Sequence, residues 1–139
     1  MTRRVFTTSS SNSLHTVIKI LIKNRISRVI VTTDDGDIVG IVTAKDLMPI
    51  TAFVEGERLR SGNGKNTDNT NDMVAIGHIM MARDVMNKAI TVKSNADLAD
   101  AAKIMIDKRI SGIPVVDPNN DAQLVGIITK TDIVSALLE

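Results

Sequence analysis

At 139 residues, 43% of them hydrophobic, the chain has the length and the material for one cored domain. Lys and Arg number 17 against 16 Asp and Glu, and a formal charge of +1 gives too weak a field to hold nucleic acid or an anionic membrane. The absence of Cys excludes disulfides, thiolate metal sites and Cys nucleophiles, while two His, two Phe and no Tyr or Trp argue against zinc centres, His-centred triads and base-stacking platforms.

Arg3 and Arg4 are followed by polar residues from Thr7 to Ser13, where a signal peptide needs an apolar stretch. No apolar run approaches the roughly 20 residues of a membrane-spanning helix. A soluble, cytoplasmic protein is expected. A short β segment, Val5–Thr8, leads through Ser and Asn into a helical pattern. Leu14, Val17, Ile18, Leu21 and Ile22 fall at i, i+3, i+4, i+7 and i+8, one face of an amphipathic helix. Two β-rich runs follow, Val29–Thr32 and Ile38–Thr43, joined by the turn residues Asp34-Asp35-Gly36-Asp37. A second helix is predicted after Thr43, and Pro49 should kink or end it near Met48.

Glu55 to Asp72 is rich in Gly, Asn and Thr, with Leu59 as its one large apolar residue; it reads as a mobile linker or as a lid over a site. Apolar character resumes at Val74-Ala75-Ile76 and Ile79-Met80-Met81, a short helix leading to Asp84-Val85-Met86. The β-α-β-β-α order then recurs. Ala89–Lys93 is its first β segment, and Leu98, Ala101, Ala102, Met105 and Ile106 form the helix face. Ile113–Val116 and Leu124–Thr129 are joined by Pro118-Asn119-Asn120-Asp121, and a final helix follows Thr129.

The recurrence is a duplication. An offset of 84 aligns Thr7 with Thr91, Leu14 with Leu98, and Arg25-Ile26-Ser27 with Arg109-Ile110-Ser111. After a two-residue insertion, an offset of 86 aligns Gly40, Ile41, Thr43 and Asp46 with Gly126, Ile127, Thr129 and Asp132. The predicted fold is α/β (α+β), with two such repeats burying their apolar faces against each other around a pseudo-twofold axis. The first repeat spans 1–54, the linker 55–72 and the second repeat 73–139.

The second copy resembles a CBS domain, the cystathionine β-synthase type of regulatory module. Asp84-Val85-Met86, Ile90-Thr91-Val92, Arg109-Ile110-Ser111-Gly112-Ile113-Pro114-Val115 and Val125-Gly126-Ile127-Ile128-Thr129 with Asp132 carry the likeness. The first copy matches less fully, through Arg25-Ile26-Ser27 and Gly40-Ile41-Val42-Thr43 with Asp46. It has Arg28 and Ile30 where the second has Gly112 and Pro114, and no counterpart of the Asp-Val-Met lead-in, as in a piece of a longer protein.

The resemblance implies a non-enzymatic sensor module whose two clefts bind AMP, ADP, ATP or S-adenosylmethionine, with no required cofactor. It also implies a homodimer acting on an effector protein or fused domain, with no nucleic acid or membrane as partner. One cleft would combine Thr91, Ile113 and Pro114 with Gly40, Thr43 and Asp46. The other would combine Thr7, Val29 and Ile30 with Gly126, Thr129 and Asp132. The first is expected to be the better formed, because its adenine side keeps the fuller motif. The apolar faces Val17–Leu21 and Ala101–Met105 are expected to mediate dimerisation. The alternative is a ligand-free structural pair whose clefts are filled by its own side chains.

Elementary chemistry gives the same positions two readings. Thr43 and Thr129 end a strand and open a helix, where free N–H groups and the positive helix end cradle phosphate. Lys45 and Lys130 lie in the same turns and offset phosphate charge, the following Asp accepts ribose hydroxyls, and Gly40 and Gly126 let a ligand approach the backbone. Thr-x-x-Asp before an apolar helix is equally a capping box that needs no ligand. Arg28 reads as solvent-facing or as a phosphate contact, and Pro114 as an edge-strand residue. Met80, Met81, Met86 and Met105 read as packing, and His15 and His78 as surface or linker residues.

Overall fold

Ser13 opens the first helix because its side chain accepts the Thr16 N–H at 3.2 Å, so α1 runs Leu14–Lys23. The computed structural model describes residues 5–50 and 79–138; the expected linker at 55–72 and His78 lie outside them. The first repeat holds β1 (Thr7–Ser9), α1, β2 (Arg28–Thr32), β3 (Ile38–Thr43) and a helix, α2, over 44–50. Next come the one-turn helix α3 (Ala82–Val85) and β4 (Asn87–Lys88). The second repeat holds β5 (Val92–Lys93), α4 (Leu98–Lys108), β6 (Gly112–Asp117), β7 (Asn120–Thr129) and α5 (Lys130–Ala136).

The duplication is legible residue by residue in the ladders. Strand β1 pairs parallel to β2 with Thr8 opposite Val31, and β5 pairs parallel to β6 with Val92 opposite Val115. The antiparallel pairs Arg28/Thr43, Ile30/Ile41 and Val31/Gly40 recur as Gly112/Thr129, Pro114/Ile127 and Val115/Gly126. Both long helices also end alike. The Ile26 N–H reaches the Leu21 carbonyl and the Ile110 N–H reaches that of Met105, each at 3.1 Å. Each closure forces the preceding arginine, Arg25 or Arg109, to a left-handed φ of 52° or 55°.

Each repeat has its own core. Val17 and Leu21 of α1 pack with Val29, Val31 and Val42, and Ala101 and Met105 of α4 pack with Ile113, Val115 and Ile128. A third cluster, Ile30, Ile41 and Ile127, joins the repeats where the two sheets meet. Val17, Leu21, Ala101 and Met105, from the helix faces assigned to dimerisation, are therefore buried within the chain. The large apolar side chains that α1 and α4 leave exposed are Ile22, Leu98 and Ile106.

Three other expectations change. Pro114 lies in β6, the middle strand of the β5-β6-β7 sheet, not at an edge. Its counterpart Ile30 donates to the Phe6 carbonyl at 3.0 Å, a bond Pro114 has no N–H to make, and β5 pairs two residues where β1 pairs three. Of the two outcomes expected at Pro49, an end near Met48 does not occur: the helix continues through Pro49 to residue 50, since proline's fixed φ suits a helix and one N–H donor is lost. The segment expected to open the second repeat docks instead on the first. Ala82 is buried in the core of the first repeat, its N–H bonds the Asn12 carbonyl at 2.9 Å, and β4 extends the first sheet by pairing with β3.

Candidate functional site

The two sheets leave a cleft on either side of their junction, built from equivalent positions. The larger, about 450 Å³, is walled by Phe6, Arg25, Ile26, Ser27 and Ile30 of the first repeat, with Ile127 and Thr129 of the second. The smaller, about 190 Å³, is walled by Ile90, Arg109, Ile110, Ser111 and Pro114 of the second repeat, with Ile41 and Thr43 of the first. The motif rank and the volumes run in opposite orders: the cleft with the fuller motif has the less room. It is narrowed by the Arg28 side chain and by Asn87 and Lys88 of β4, all of which line it.

Strand alternation sorts the residues the sequence assigned to these clefts. Ile30 lines the larger cleft and Pro114 the smaller, but Val29 and Ile113 point the other way, into the two repeat cores. Assigning both members of each strand pair to the ligand is thereby corrected. Thr7 and Thr91 are exposed, and the cleft walls at those strands are Phe6 and Ile90. Gly126 is buried in the ladder opposite Val115. Gly40 is closed to a ligand by its own chain: a Cβ there would collide with the Met86 thioether and come within 2.9 Å of the Asn87 carbonyl oxygen.

Both Thr-Asp pairs are formed capping boxes. Asp46 Oδ2 accepts from the Thr43 N–H and hydroxyl, each at 2.9 Å, and the Asp46 N–H donates back to Thr43 Oγ1 at 3.3 Å. Asp132 and Thr129 repeat this at 2.8, 3.1 and 3.3 Å. Asp46 Oδ1 also accepts from the Asn87 side-chain amide at 3.0 Å. The first N–H of each helix is taken too, from Ala44 to the Ser27 carbonyl at 2.8 Å and from Lys130 to that of Ser111 at 3.2 Å. The cradle expected from free N–H groups is therefore partly closed from within: Thr43 and Thr129 cap their own helices, and the Ser27 and Ser111 carbonyls, which precede the neighbouring strands β2 and β6, take the first N–H. Lys45 and Lys130 both line the smaller cleft.

Arg28 is not solvent-facing. It is half-buried between the repeats, lines both clefts, and donates from Nη1 to Ser111 Oγ at 3.3 Å. Burial lowers its pKa from the ordinary arginine value, and the Asp132 carboxylate pulls it part of the way back. An arginine so placed stays charged at neutral pH and presents a fixed fork of donors. Arg25, Arg109, Ile41 and Ile127 line the clefts without having been assigned to a site. Their identity between the copies was the available signal.

A model of the CBS domain matches residues 1–50 and 82–139, both copies. The chain belongs to the CBS-domain family. Among its CBS relatives, the uncharacterised MJ1426 of Methanocaldococcus jannaschii is 32% identical over 91% of this chain and 82% of its own length. The chloroplastic CBSX1 of Arabidopsis thaliana is 29% identical over 88% of this chain, which spans only 54% of that protein. In the solved structure of CBSX2 in complex with AMP, the CBS fold superimposes with a TM-score of 0.70 at 23% identity, over 99% of this chain and 92% of that one. The CBS pair of MJ0100, in complex with 5′-methylthioadenosine and S-adenosylmethionine, gives a TM-score of 0.68 at 25% identity, over 99% of this chain and 90% of that one. Among the described residues, no helix is long and apolar enough to cross a membrane.

Proposed function

We propose that the chain is a non-catalytic regulatory module that binds an adenosine-type ligand in the larger cleft between its CBS repeats. The observation that carries this is the cleft itself: about 450 Å³, inside the range of small-molecule sites, with apolar walls from Phe6, Ile26, Ile30 and Ile127 and polar groups at Arg25, Arg28 and Thr129. The apolar walls suit a purine, and the two arginines suit phosphate oxygens. The MJ0100 pair, which has adenosine compounds bound, supports the ligand class. Because the walls come from both repeats, a bound ligand favours one relative setting of the repeats over others, and a fused or associated protein can read that difference.

Isothermal titration with AMP, ATP and S-adenosylmethionine tests the reading. A ligand at about 100 times its dissociation constant should also raise stability by roughly 2.7 kcal/mol in thermal unfolding. The closed capping boxes favour a second reading, a structural CBS pair whose Thr and Asp serve the helices alone. Absence of binding by all three compounds at millimolar concentration selects that second reading.

A further inference from the structure

Helices α4 and α5 carry more apolar surface than their own repeat covers. A groove of about 480 Å³ opens between them, lined by Ile106, Ile133 and Val134 and reaching down to the buried Met105. Ile106 is 76% exposed and Val134 62%. Ile133, Val134 and Leu137 follow one another at helical spacing, so the exposed Leu137 and Leu138 continue the apolar stripe along α5 past the groove. A contiguous apolar surface of this kind marks an interaction site, unlike single apolar residues scattered in water. The charged lining is all of one sign. Lys45 comes from α2, Arg109 from the end of α4 and Lys130 from the start of α5, and no carboxylate lines the groove among the described residues.

We infer that this groove docks an amphipathic helix of a partner protein, apolar on the face it buries and acidic along its flanks. A groove between two helices receives the ridge of a third, whose apolar anchors fall at i, i+3, i+4 and i+7. Carboxylates beside those anchors complement Lys45, Arg109 and Lys130 and set the partner's orientation. A second copy of the chain fits less well. Its own α4 and α5 face would bring three more cations into the interface, and like charges brought together are costly. The equivalent face of α1, which exposes Ile22, carries Lys19 and Lys23 and no carboxylate, and Asp46 of α2 is committed to Thr43 and Asn87. A flat bilayer does not reach down to Met105. Lys45 belongs to the first repeat and the other lining residues to the second, so a docked helix touches both. The surface requires no nucleotide in either cleft.

A synthetic helical peptide of about 15 residues, with Leu at i, i+3, i+4 and i+7, Glu on both flanks and one Trp, tests this. The chain has no Trp, so the fluorescence of the peptide reports binding. The expected result is saturable binding to the full chain that weakens as salt is added. A twin peptide with Lys in place of Glu should bind at least about tenfold more weakly. The Glu peptide should lose as much on Ile106→Glu, whose exposed position leaves the fold intact, as thermal unfolding verifies. Ile22→Glu, the equivalent change on α1, should leave binding unaltered. No binding at millimolar concentration, equal binding of the twin, or an equal loss in Ile22→Glu overturns the inference. Self-association at tens of micromolar that Ile106→Glu abolishes also overturns it and gives the groove to a second copy. Binding to phosphatidylserine vesicles without binding to the peptide overturns it in favour of a membrane.

Discussion

Arg28 and Gly112 hold the same position in the two repeats, and the guanidinium of the first fills the space left by the missing side chain of the second. A Cβ on Gly112 would collide with Arg28 Nη1 and lie 3.2 Å from its Cζ. The pair breaks the internal symmetry at the junction of the clefts and leaves one arginine serving both.

Gly112→Ala should therefore move Arg28 without removing a charge. The guanidinium is the far end of a flexible side chain, so the stability cost should stay below about 1 kcal/mol. Nucleotide affinity should fall as far as in Arg28→Gln, about tenfold. Thermal unfolding and titration of both variants check this; unchanged affinity in Gly112→Ala would free Arg28 of any ligand role.

Gly40→Ala should behave differently. Its Cβ meets the Asn87 backbone oxygen at 2.9 Å as well as Met86, and backbone cannot swing aside. Overpacking of this kind costs about 1–3 kcal/mol, and it should loosen β4 from β3. Chemical denaturation reads the loss, and faster amide exchange at Lys88 locates it.

Arg25 carries a left-handed backbone at a helix end, where glycine is the usual occupant. Arg25→Gly should stabilise the fold by up to about 1 kcal/mol by relieving that conformation. The same change removes a cation from the larger cleft and should weaken nucleotide binding. Higher stability with unaltered affinity would make Arg25 a bystander.

The exposed Ile106 and Val134 line a groove of about 480 Å³ together with Met105 and Ile133 of α4 and α5, and Lys45, Arg109 and Lys130 are its cations. If the chain forms a homodimer, this groove, which Met105 also lines, and not the buried Val17 face of α1 mediates it. Ile106→Glu should then shift sedimentation toward monomer at tens of micromolar, while Ile22→Glu on α1 should not.

The duplication made most of the fold legible in the sequence. Leu14 to Ile22 and Leu98 to Ile106 mark the two long helices, and equal offsets imply the equal registers observed. Three things were hidden. Period-two alternation sends Val29 and Ile30 to opposite faces, but a continuous apolar run does not say which faces the cleft. The apolar residues Met80 to Met86 announce packing without naming the sheet, and they dock on the first. Arg28 lies over Gly112 and bonds Ser111 across 83 positions, a contact that no local pattern records.

The clefts can also be told apart by their carboxylates. Asp46 and Asp132 each close a capping box, so Asp46→Ala and Asp132→Ala should each cost about 0.5–2 kcal/mol of stability. Asp132 also faces the Arg28 charge, so its loss should perturb binding in the larger cleft, whereas Asp46→Ala should leave AMP affinity nearly unchanged. Titration of AMP into both variants checks this, and a larger loss in Asp46→Ala would make the smaller cleft the nucleoside site.

Backbone amide resonances of the 15N-labelled chain, followed as AMP is added, show whether a nucleotide enters the larger cleft. Saturable shifts centred on Ser27, Arg28 and Thr129 are expected, with smaller ones at Ser111 and Thr43. Shifts centred on Ser111, Gly112 and Thr43 instead, or none with AMP, ATP or S-adenosylmethionine at millimolar concentration, would contradict it.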